Sequence, residues 1–149
     1  MKTVFILGSK SDLDFTNKIV DGLGEWGIET EVIVASAHKV PKKVADIIEA
    51  NNQQEDIVYV TVAGRSNALS GVVAANSIHP VIACPPHKDK TDFMVNINST
   101  LMMPSETPVM TVIDPSNTVL SVVKIFALKN SELKTKVEAR IQSVKQKFD

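Results

Sequence analysis

The stretch DIVYVTVAG, residues 56–64, decides the fold. Its run of Ile, Val, Tyr and Thr is apolar at almost every position, which is typical of a strand covered on both faces, as in a parallel sheet. Four more runs of strand length have the same character: TVFILG (3–8), ETEVIVAS (29–36), PVIACPP (80–86) and VMTVI (109–113). The sequence therefore predicts five strands of a parallel sheet.

Segments with helical spacing lie between and after these strands. Their apolar positions are Phe15, Ile19, Leu23 and Trp26 in the first, Val44, Ile47 and Ile48 in the second, and Leu133, Val137, Ile141, Val144 and Phe148 in the last. Ser11 or Asp12 is expected to cap the first helix, and Ser131 the last. Residues 67–77 predict a short helix that packs closely on another surface, such as a second subunit, and residues 115–130 predict a longer one. The last stripe either joins the core or docks on a neighbouring protomer.

Strands and helices that alternate in this way indicate an α/β protein with three layers and right-handed crossovers. The chain has 149 residues. That length suits one domain and is enough to bury about two thirds of the surface of the unfolded chain. We therefore expect a single domain over residues 1–149.

The charge balance limits the classes of partner. Sixteen basic and seventeen acidic side chains give a formal net charge of -1, so no general positive field is available for nucleic acid or an anionic membrane, and an anionic ligand needs local contacts. The single cysteine, Cys84, excludes an internal disulfide and a four-ligand zinc cluster, and we interpret it as a core residue. The amino terminus lacks a signal peptide's length and cleavage site, and no run approaches a membrane span. These features predict a cytoplasmic protein.

Ligands of open parallel sheets bind beyond the carboxyl ends of the strands, near the point where the strand order reverses. The first strand ends in Gly8-Ser9-Lys10-Ser11-Asp12. A glycine turn, hydroxyl groups and the free amides of a following helix can together hold a phosphate. The same pattern also fits a plain Ser/Asp helix cap. Because the carboxylate of Asp12 repels phosphate, it suits a sugar hydroxyl better.

His38 is the strongest candidate for proton transfer, because imidazole acts as acid or base near neutral pH. It follows the second strand and lies between Ser36 and Lys39, at the end where ligands bind. The alternative is a histidine that serves only the loop. His79 precedes the fourth strand, on the opposite edge of the sheet, and His87 lies in a charged loop, so neither is expected to be catalytic.

Arg65 lies in the turn Gly64-Arg65-Ser66 after the third strand and is one of two arginines among sixteen basic residues. Its planar guanidinium suits a carboxylate or phosphate of a ligand better than an ammonium does. The alternative is a salt bridge to a carboxylate across a subunit interface. The polar loop MMPSETP, residues 102–108, precedes the fifth strand near the same edge.

Taken in order, the segments GSKSD, SAHKVP, VAGRSNALSG, HPVIACPP and MPSETP resemble the aminoimidazole ribonucleotide carboxylase family of purine biosynthesis. The resemblance extends over residues 3–130. It implies a flavodoxin-like three-layer sandwich with a central parallel sheet and a C-terminal helix. It also implies a homo-octamer that acts on a ribonucleotide and uses neither a metal ion nor an organic cofactor.

The family has two branches, which these motifs distinguish. Members that resemble the bacterial mutase move a carboxylate from the exocyclic nitrogen to ring carbon four, and they typically carry SAHR and an AGAGGAAHLPGM-like segment. This chain has SAHK (36–39) and AGRSNALSG (63–71). Those segments resemble the branch that carboxylates aminoimidazole ribonucleotide directly with carbon dioxide, which includes the carboxylase half of the bifunctional animal enzyme. Direct carboxylation is the predicted reaction, and the mutase is the alternative.

The resemblance also implies roles for single residues. The substrate-binding positions are Ser9, Asp12, Ser36, Lys39, Gly64, Arg65 and Ser66. The first two would contact phosphate and ribose, the third would line the nucleotide, and the last three would shape the carboxylate or carbon dioxide pocket. His38 would be the general acid and base, and Lys39 replaces the arginine of the other branch. Glu106 departs from the family, which commonly has glycine after MPS, so the resemblance is weakest in that loop.

Two other classes of similar fold lack support in the sequence. A receiver domain needs a phosphoacceptor aspartate after the third strand, where this chain has Ala63 and Gly64. A flavodoxin-type electron carrier needs aromatic residues in the loops around its flavin, but Trp26 and Tyr59 fall in a predicted helix and a predicted strand.

Overall fold

A computed structural model describes residues 1–148 and has a five-stranded sheet at its centre. The strands are β1 Lys2–Leu7, β2 Glu29–Val34, β3 Ile57–Val62, β4 Val81–Ala83 and β5 Met110–Thr111. Each neighbouring pair is parallel, and the order across the sheet is β2-β1-β3-β4-β5. This order confirms the flavodoxin-like α/β fold, and its direction reverses between β1 and β3.

Helices cover both faces of the sheet. They are α1 Leu13–Glu25, α2 Pro41–Asn51, α3 Leu69–Asn76, α4 Lys90–Asn96, α5 Asn98–Leu101, α6 Pro115–Ala127 and α7 Ser131–Lys145. The buried residues of α1, α6 and α7 share one hydrophobic cluster with the sheet, and those of α2 and α3 share another. The three-layer arrangement predicted from the sequence is therefore confirmed, including the C-terminal helix.

The position of β3 explains its unbroken apolar sequence. Val58, Val60 and Val62 belong to the cluster with α1, α6 and α7, whereas Ile57 and Tyr59 belong to the cluster with α2 and α3. All residues of β3 are buried. Successive side chains of a strand point to opposite faces, so a strand covered on both faces needs apolar residues throughout.

The predicted strands 80–86 and 109–113 are much shorter in the structure. β4 has three residues and β5 has two. Pro80, Pro85 and Pro86 flank β4, and proline lacks the N–H that a central ladder requires. The two edge strands, β2 and β5, also keep exposed and half-buried residues, because only one of their sides pairs with a neighbour.

The helix caps agree with the prediction only in part. Ser9 caps a single 3-10 turn, Lys10–Asp12, that precedes α1, and Asp12 completes a capping box with it. Asp12 does stand at the N-cap of α1, but its side chain makes no cap bond to that helix. At α7 the cap is Asn130, not Ser131, since the Asn130 side chain accepts from the Leu133 amide.

The C-terminal stripe is only partly buried. Leu133 and Val137 join the core under α6, whereas Ile141 and Val144 are exposed at 40% and 42% and Phe148 at 87%. The end of α7 therefore extends beyond the cluster that its first half completes.

The short helix predicted within residues 67–77 is α3, and part of its close packing is internal. A Cβ on Gly71 would lie 3.1 Å from Sδ of Met103, so the loop before β5 packs directly on this helix. Helices α4 and α5 were not predicted. Within residues 1–148 no helix is long and apolar enough to cross a membrane.

Candidate active site

The carboxyl ends of the first three strands lie side by side. The amide of Gly8 donates to the carbonyl of Val62 at 2.9 Å, and the amide of Ala35 donates to the carbonyl of Leu7 at 2.9 Å. The ladder of the sheet thus continues one residue past the strands. The three segments that follow β1, β2 and β3 all start at this edge, as the sequence predicted.

The segment after β1 is organised by its own hydrogen bonds. The Ser9 amide donates to Oδ2 of Asp12 at 3.0 Å, and the Ser11 hydroxyl donates to Oγ of Ser9 at 2.9 Å. Burial raises the pKa of Asp12 above its ordinary value, against the lowering effect of the bonds from Ser9 and Ser11. Ser9 Oγ acts as an acceptor here, so its hydroxyl proton stays available for a ligand.

The segment after β2 forms a tight turn. The Val40 amide donates to the Ser36 carbonyl at 2.9 Å, and the Lys39 amide lies 3.4 Å from the Ser36 hydroxyl. This turn exposes the side chains of His38 and Lys39. Lys43 was not predicted as part of this edge, yet its Nζ donates to the carbonyl of Val34, the last residue of β2, at 2.9 Å.

The segment after β3 holds Arg65 in a left-handed backbone conformation, with φ of 55°. Arg65 and Ser66 are exposed, and Gly64 is half-buried. A Cβ on Gly64 would lie 3.4 Å from the carbonyl oxygen of Pro86, so this turn lies close to the segment after β4.

A small cleft forms where these two segments meet. Its walls include Gly64, Arg65, Pro86, His87, Phe93 and Asn96. His87, which the sequence places in a charged loop and does not predict to be catalytic, lines the same cleft as Arg65. Neither Ser9 nor His38 lines it. The signal for His87 was its position shortly after the fourth strand, an end of the same edge.

Beneath this turn lies a buried polar network that the sequence did not reveal. Asn67 is 4% exposed, and its Nδ2 donates to the hydroxyls of Ser70 at 2.8 Å and Thr100 at 3.0 Å. The Ser70 hydroxyl also lies 2.8 Å from the hydroxyl of Thr61 in β3. Asn67 thus ties the turn after β3 to the strand, to α3 and to α5.

The loop before β5 contains a second left-handed residue. Glu106 has φ of 62° and is exposed. Glycine adopts this conformation without steric cost, whereas a residue with a Cβ is strained in it.

A larger cleft exists elsewhere and contains none of the predicted site residues. It lies between α1, α6 and α7 and includes Lys18, Trp26 and Arg140 in its walls. Within residues 1–148 no group of three or more His, Cys, Asp and Glu side chains is arranged to hold a metal ion.

The fold and this edge define a flavodoxin-like α/β protein with titratable and hydroxyl side chains at its topological switch point. The sequence model of a family described as AIR carboxylase matches residues 2–147. The chain belongs to this family.

Individual relatives agree with the family match. The chain is 51% identical over 137 residues to a phosphoribosylaminoimidazole carboxylase of Archaeoglobus fulgidus, an alignment that covers 92% of this chain and 75% of the relative. It is 39% identical over 144 residues to an N5-carboxyaminoimidazole ribonucleotide mutase of Methanocaldococcus jannaschii, covering 95% and 89% of the two chains. The crystal structure of Treponema denticola PurE superposes with a TM-score of 0.91 at 34% identity, covering 99% of this chain and 93% of the other.

Proposed function

We propose that this protein carboxylates 5-aminoimidazole ribonucleotide with carbon dioxide to give 4-carboxy-5-aminoimidazole ribonucleotide, in purine biosynthesis. The observation that carries the proposal is that the SAHK turn, residues 36–39, and the Gly64–Ser66 turn lie on either side of the Gly8–Asp12 turn at one edge of the sheet. Support also comes from the relative of Archaeoglobus fulgidus, which is named a phosphoribosylaminoimidazole carboxylase.

The proposed binding roles follow from chemistry and position. Ser9 retains a hydroxyl proton for a phosphate oxygen, next to the amides at the start of the 3-10 turn and α1. The second carboxylate oxygen of Asp12 can accept from a ribose hydroxyl. Ser36 follows β2, two residues before His38, and would line the nucleotide.

In the proposed reaction, ring carbon four of the aminoimidazole is an enamine-like nucleophile. Its electron pair forms a bond to the carbon of carbon dioxide, and one C=O pair moves to oxygen, so carbon four then carries both a hydrogen and a carboxylate. His38 removes that hydrogen as a proton, and the released pair restores the aromatic ring. A general base of this kind contributes about a hundred- to ten-thousandfold in rate.

Charge develops on the new carboxylate, and the proposed donors for it are the ammonium of Lys39 and the groups of the turn Gly64–Ser66. Arg65 suits the same task because a guanidinium can donate two parallel bonds to a carboxylate. Holding carbon dioxide next to ring carbon four adds a contribution from proximity. The family resemblance implies that no metal ion or organic cofactor takes part.

We further propose that the enzyme works as a homo-octamer in the cytoplasm. Several large apolar side chains are exposed around the site edge, on α4, α5 and the loop that follows: Met94, Val95, Leu101 and Met102. Patches of this kind mark association surfaces. A second copy there would shield a site whose His38 is exposed in the single chain.

The mutase reaction is the alternative, and the 39% identical relative of Methanocaldococcus jannaschii carries that name. One assay separates the two reactions. Purified protein is given 5-aminoimidazole ribonucleotide and bicarbonate, and in parallel N5-carboxyaminoimidazole ribonucleotide in buffer depleted of carbon dioxide. Product is quantified by chromatography against the uncatalysed rates.

We expect 4-carboxy-5-aminoimidazole ribonucleotide from the first mixture, at a rate that rises with dissolved carbon dioxide. Turnover in the second mixture alone would instead assign the mutase. Absence of product from both mixtures would reject the proposed function.

A further inference from the structure

Arg65 occupies a backbone conformation that its neighbours have to impose. A non-glycine residue in the left-handed region is strained because its Cβ crowds the following carbonyl oxygen. Such a conformation persists only where surrounding contacts determine it. The contacts that reach this turn therefore decide where the Arg65 side chain points.

Ser99, in α5, contacts the backbone on both sides of Ser66, the residue that follows Arg65. Its Oγ lies 2.7 Å from the carbonyl oxygen of Arg65 and accepts from the amide of Asn67 at 3.0 Å. The carbonyl of Asn96, one turn earlier in the helical segment, lies 2.9 Å from the same Oγ. A hydroxyl has only one proton to donate. Because the carbonyl of Arg65 is the nearer of the two acceptors, Ser99 donates to Arg65.

The bonds of Ser99 differ in kind from the side-chain network below the turn. The network fixes the Asn67 side chain through Ser70 and Thr100. Ser99 instead bridges the carbonyl of the left-handed residue, Arg65, to the amide of Asn67, across Ser66. The hydroxyl acts as a clamp on this two-residue span.

We propose that Ser99 is a positioning residue. Its hydroxyl clamps the segment Arg65–Asn67 and so holds Arg65 toward the carboxylate that forms on ring carbon four of the nucleotide. The positioning role rests on the proposed function, whereas the clamp itself does not. Ser99 would touch neither carbon dioxide nor the nucleotide, and it acts through the backbone of Arg65.

The clamp is tested by hydrogen–deuterium exchange with mass spectrometry on the intact protein. In Ser99→Ala the amide of Asn67 loses its acceptor, so we expect peptides that contain this amide to exchange at least about tenfold faster, with no change in peptides from α6. Ser121→Ala is the matched control. It removes a helical serine hydroxyl that bonds only within its own helix, to the Asn117 carbonyl at 2.8 Å. Ser99→Cys, which keeps a weaker donor and acceptor of similar size, should lie between the wild type and alanine.

Unchanged exchange around Asn67 in both Ser99→Ala and Ser99→Cys would overturn the clamp. Equal acceleration in α6 would also contradict it, since the proposed effect is local to the turn.

The positioning role is tested by kinetics with the same variants. We expect Ser99→Ala to lower kcat/KM for carbon dioxide about tenfold, because small displacements of an oriented group are costly, while KM for the nucleotide changes less than about twofold. A purely structural role would change both substrates alike. Faster exchange with wild-type kinetics would overturn the positioning role. A wild-type enzyme that makes no product from carbon dioxide would reject the proposed function, while the exchange experiment still decides the clamp.

Discussion

Gly8 and Ala63 meet where the ends of β1 and β3 adjoin, and a Cβ on Gly8 would lie 3.1 Å from the Cβ of Ala63. This is the switch point of the sheet, and the two turns of the candidate site leave from it. The absence of a side chain at position 8 therefore allows the segments that carry Ser9 and Arg65 to start this close together.

Gly8→Ala is expected to push these two segments apart. Because the neighbour is a Cβ next to backbone, relief requires a backbone shift, and we expect a loss of about 1–2 kcal/mol in the free energy of unfolding. Turnover should fall more than stability alone explains. Urea unfolding at fixed protein concentration and steady-state kinetics measure the two effects.

The control for this variant is Gly24→Ala in α1, where a Cβ would have no heavy atom within 4 Å. Replacement there should stabilise the protein by about 0.5 kcal/mol through helix propensity and leave turnover unchanged. If Gly8→Ala behaved like this control, the close approach of the two segments would be irrelevant to the site.

His38→Asn should abolish carboxylation and retain nucleotide binding. Asparagine keeps a polar side chain in the exposed turn but cannot take a proton near neutral pH, so we expect kcat to fall at least about a hundredfold. Binding of the nucleotide is measured by calorimetry.

His79→Asn is the matched control for this loss of an imidazole. His79 lies at the opposite edge of the sheet, where its Nε2 is 3.0 Å from the carbonyl oxygen of Asn51. It should keep wild-type turnover even if stability falls. Wild-type turnover in His38→Asn would remove this residue from the chemistry.

Asn67→Ala should destabilise the whole protein, not only the turn. It leaves the buried hydroxyls of Ser70 and Thr100 without their amide donor, and we expect the free energy of unfolding to fall by about 2–3 kcal/mol. Asn76→Ala is the control, because the exposed Asn76 side chain bonds only to the carbonyl of Val72 in its own helix. Equal urea midpoints for the two variants would show that the buried network adds little.

Glu106→Gly should raise stability. Glycine relieves the left-handed strain at φ of 62°, and after its larger entropy in the unfolded chain is subtracted we expect a gain of about 0.5–1 kcal/mol. The neighbouring Ser105→Gly has no positive φ to relieve and should lower stability slightly. Thermal unfolding of both variants measures the difference, and a loss of stability in Glu106→Gly would contradict the strain.

Cys84 should be unreactive in the folded protein. Burial raises the pKa of its thiol from 9.0 to about 11. Since the thiolate is the reactive form, only about one molecule in a thousand would be ionised at pH 8, and the sulfur is covered as well. A colourimetric thiol reagent should therefore label Cys84 only after denaturation in guanidinium chloride. Rapid stoichiometric labelling of native protein would refute this expectation.

The sequence determined the strands and the edge of the sheet where chemistry is possible. Local patterns suffice for this, because a strand such as β3 needs apolar residues on both faces, and a helix places its apolar residues three or four positions apart. Prediction was weakest for strand length, helix caps and the helices α4 and α5. These depend on where prolines stop pairing and on which side chain reaches a free amide, as Ser9 and Asn130 do.

Only the tertiary structure decided which residues surround the turn Gly64–Ser66. Asn67 is more than thirty positions away from Ser99 and Thr100 in the sequence. The bonds between them exist because α5 folds back over the turn after β3. His87 lines the same cleft because it follows β4, which pairs with β3. Periodicity reports how a segment meets the core, since that depends on neighbours along the chain. It carries no information on which distant hydroxyl satisfies a buried amide, because that contact is set by the path of the whole chain.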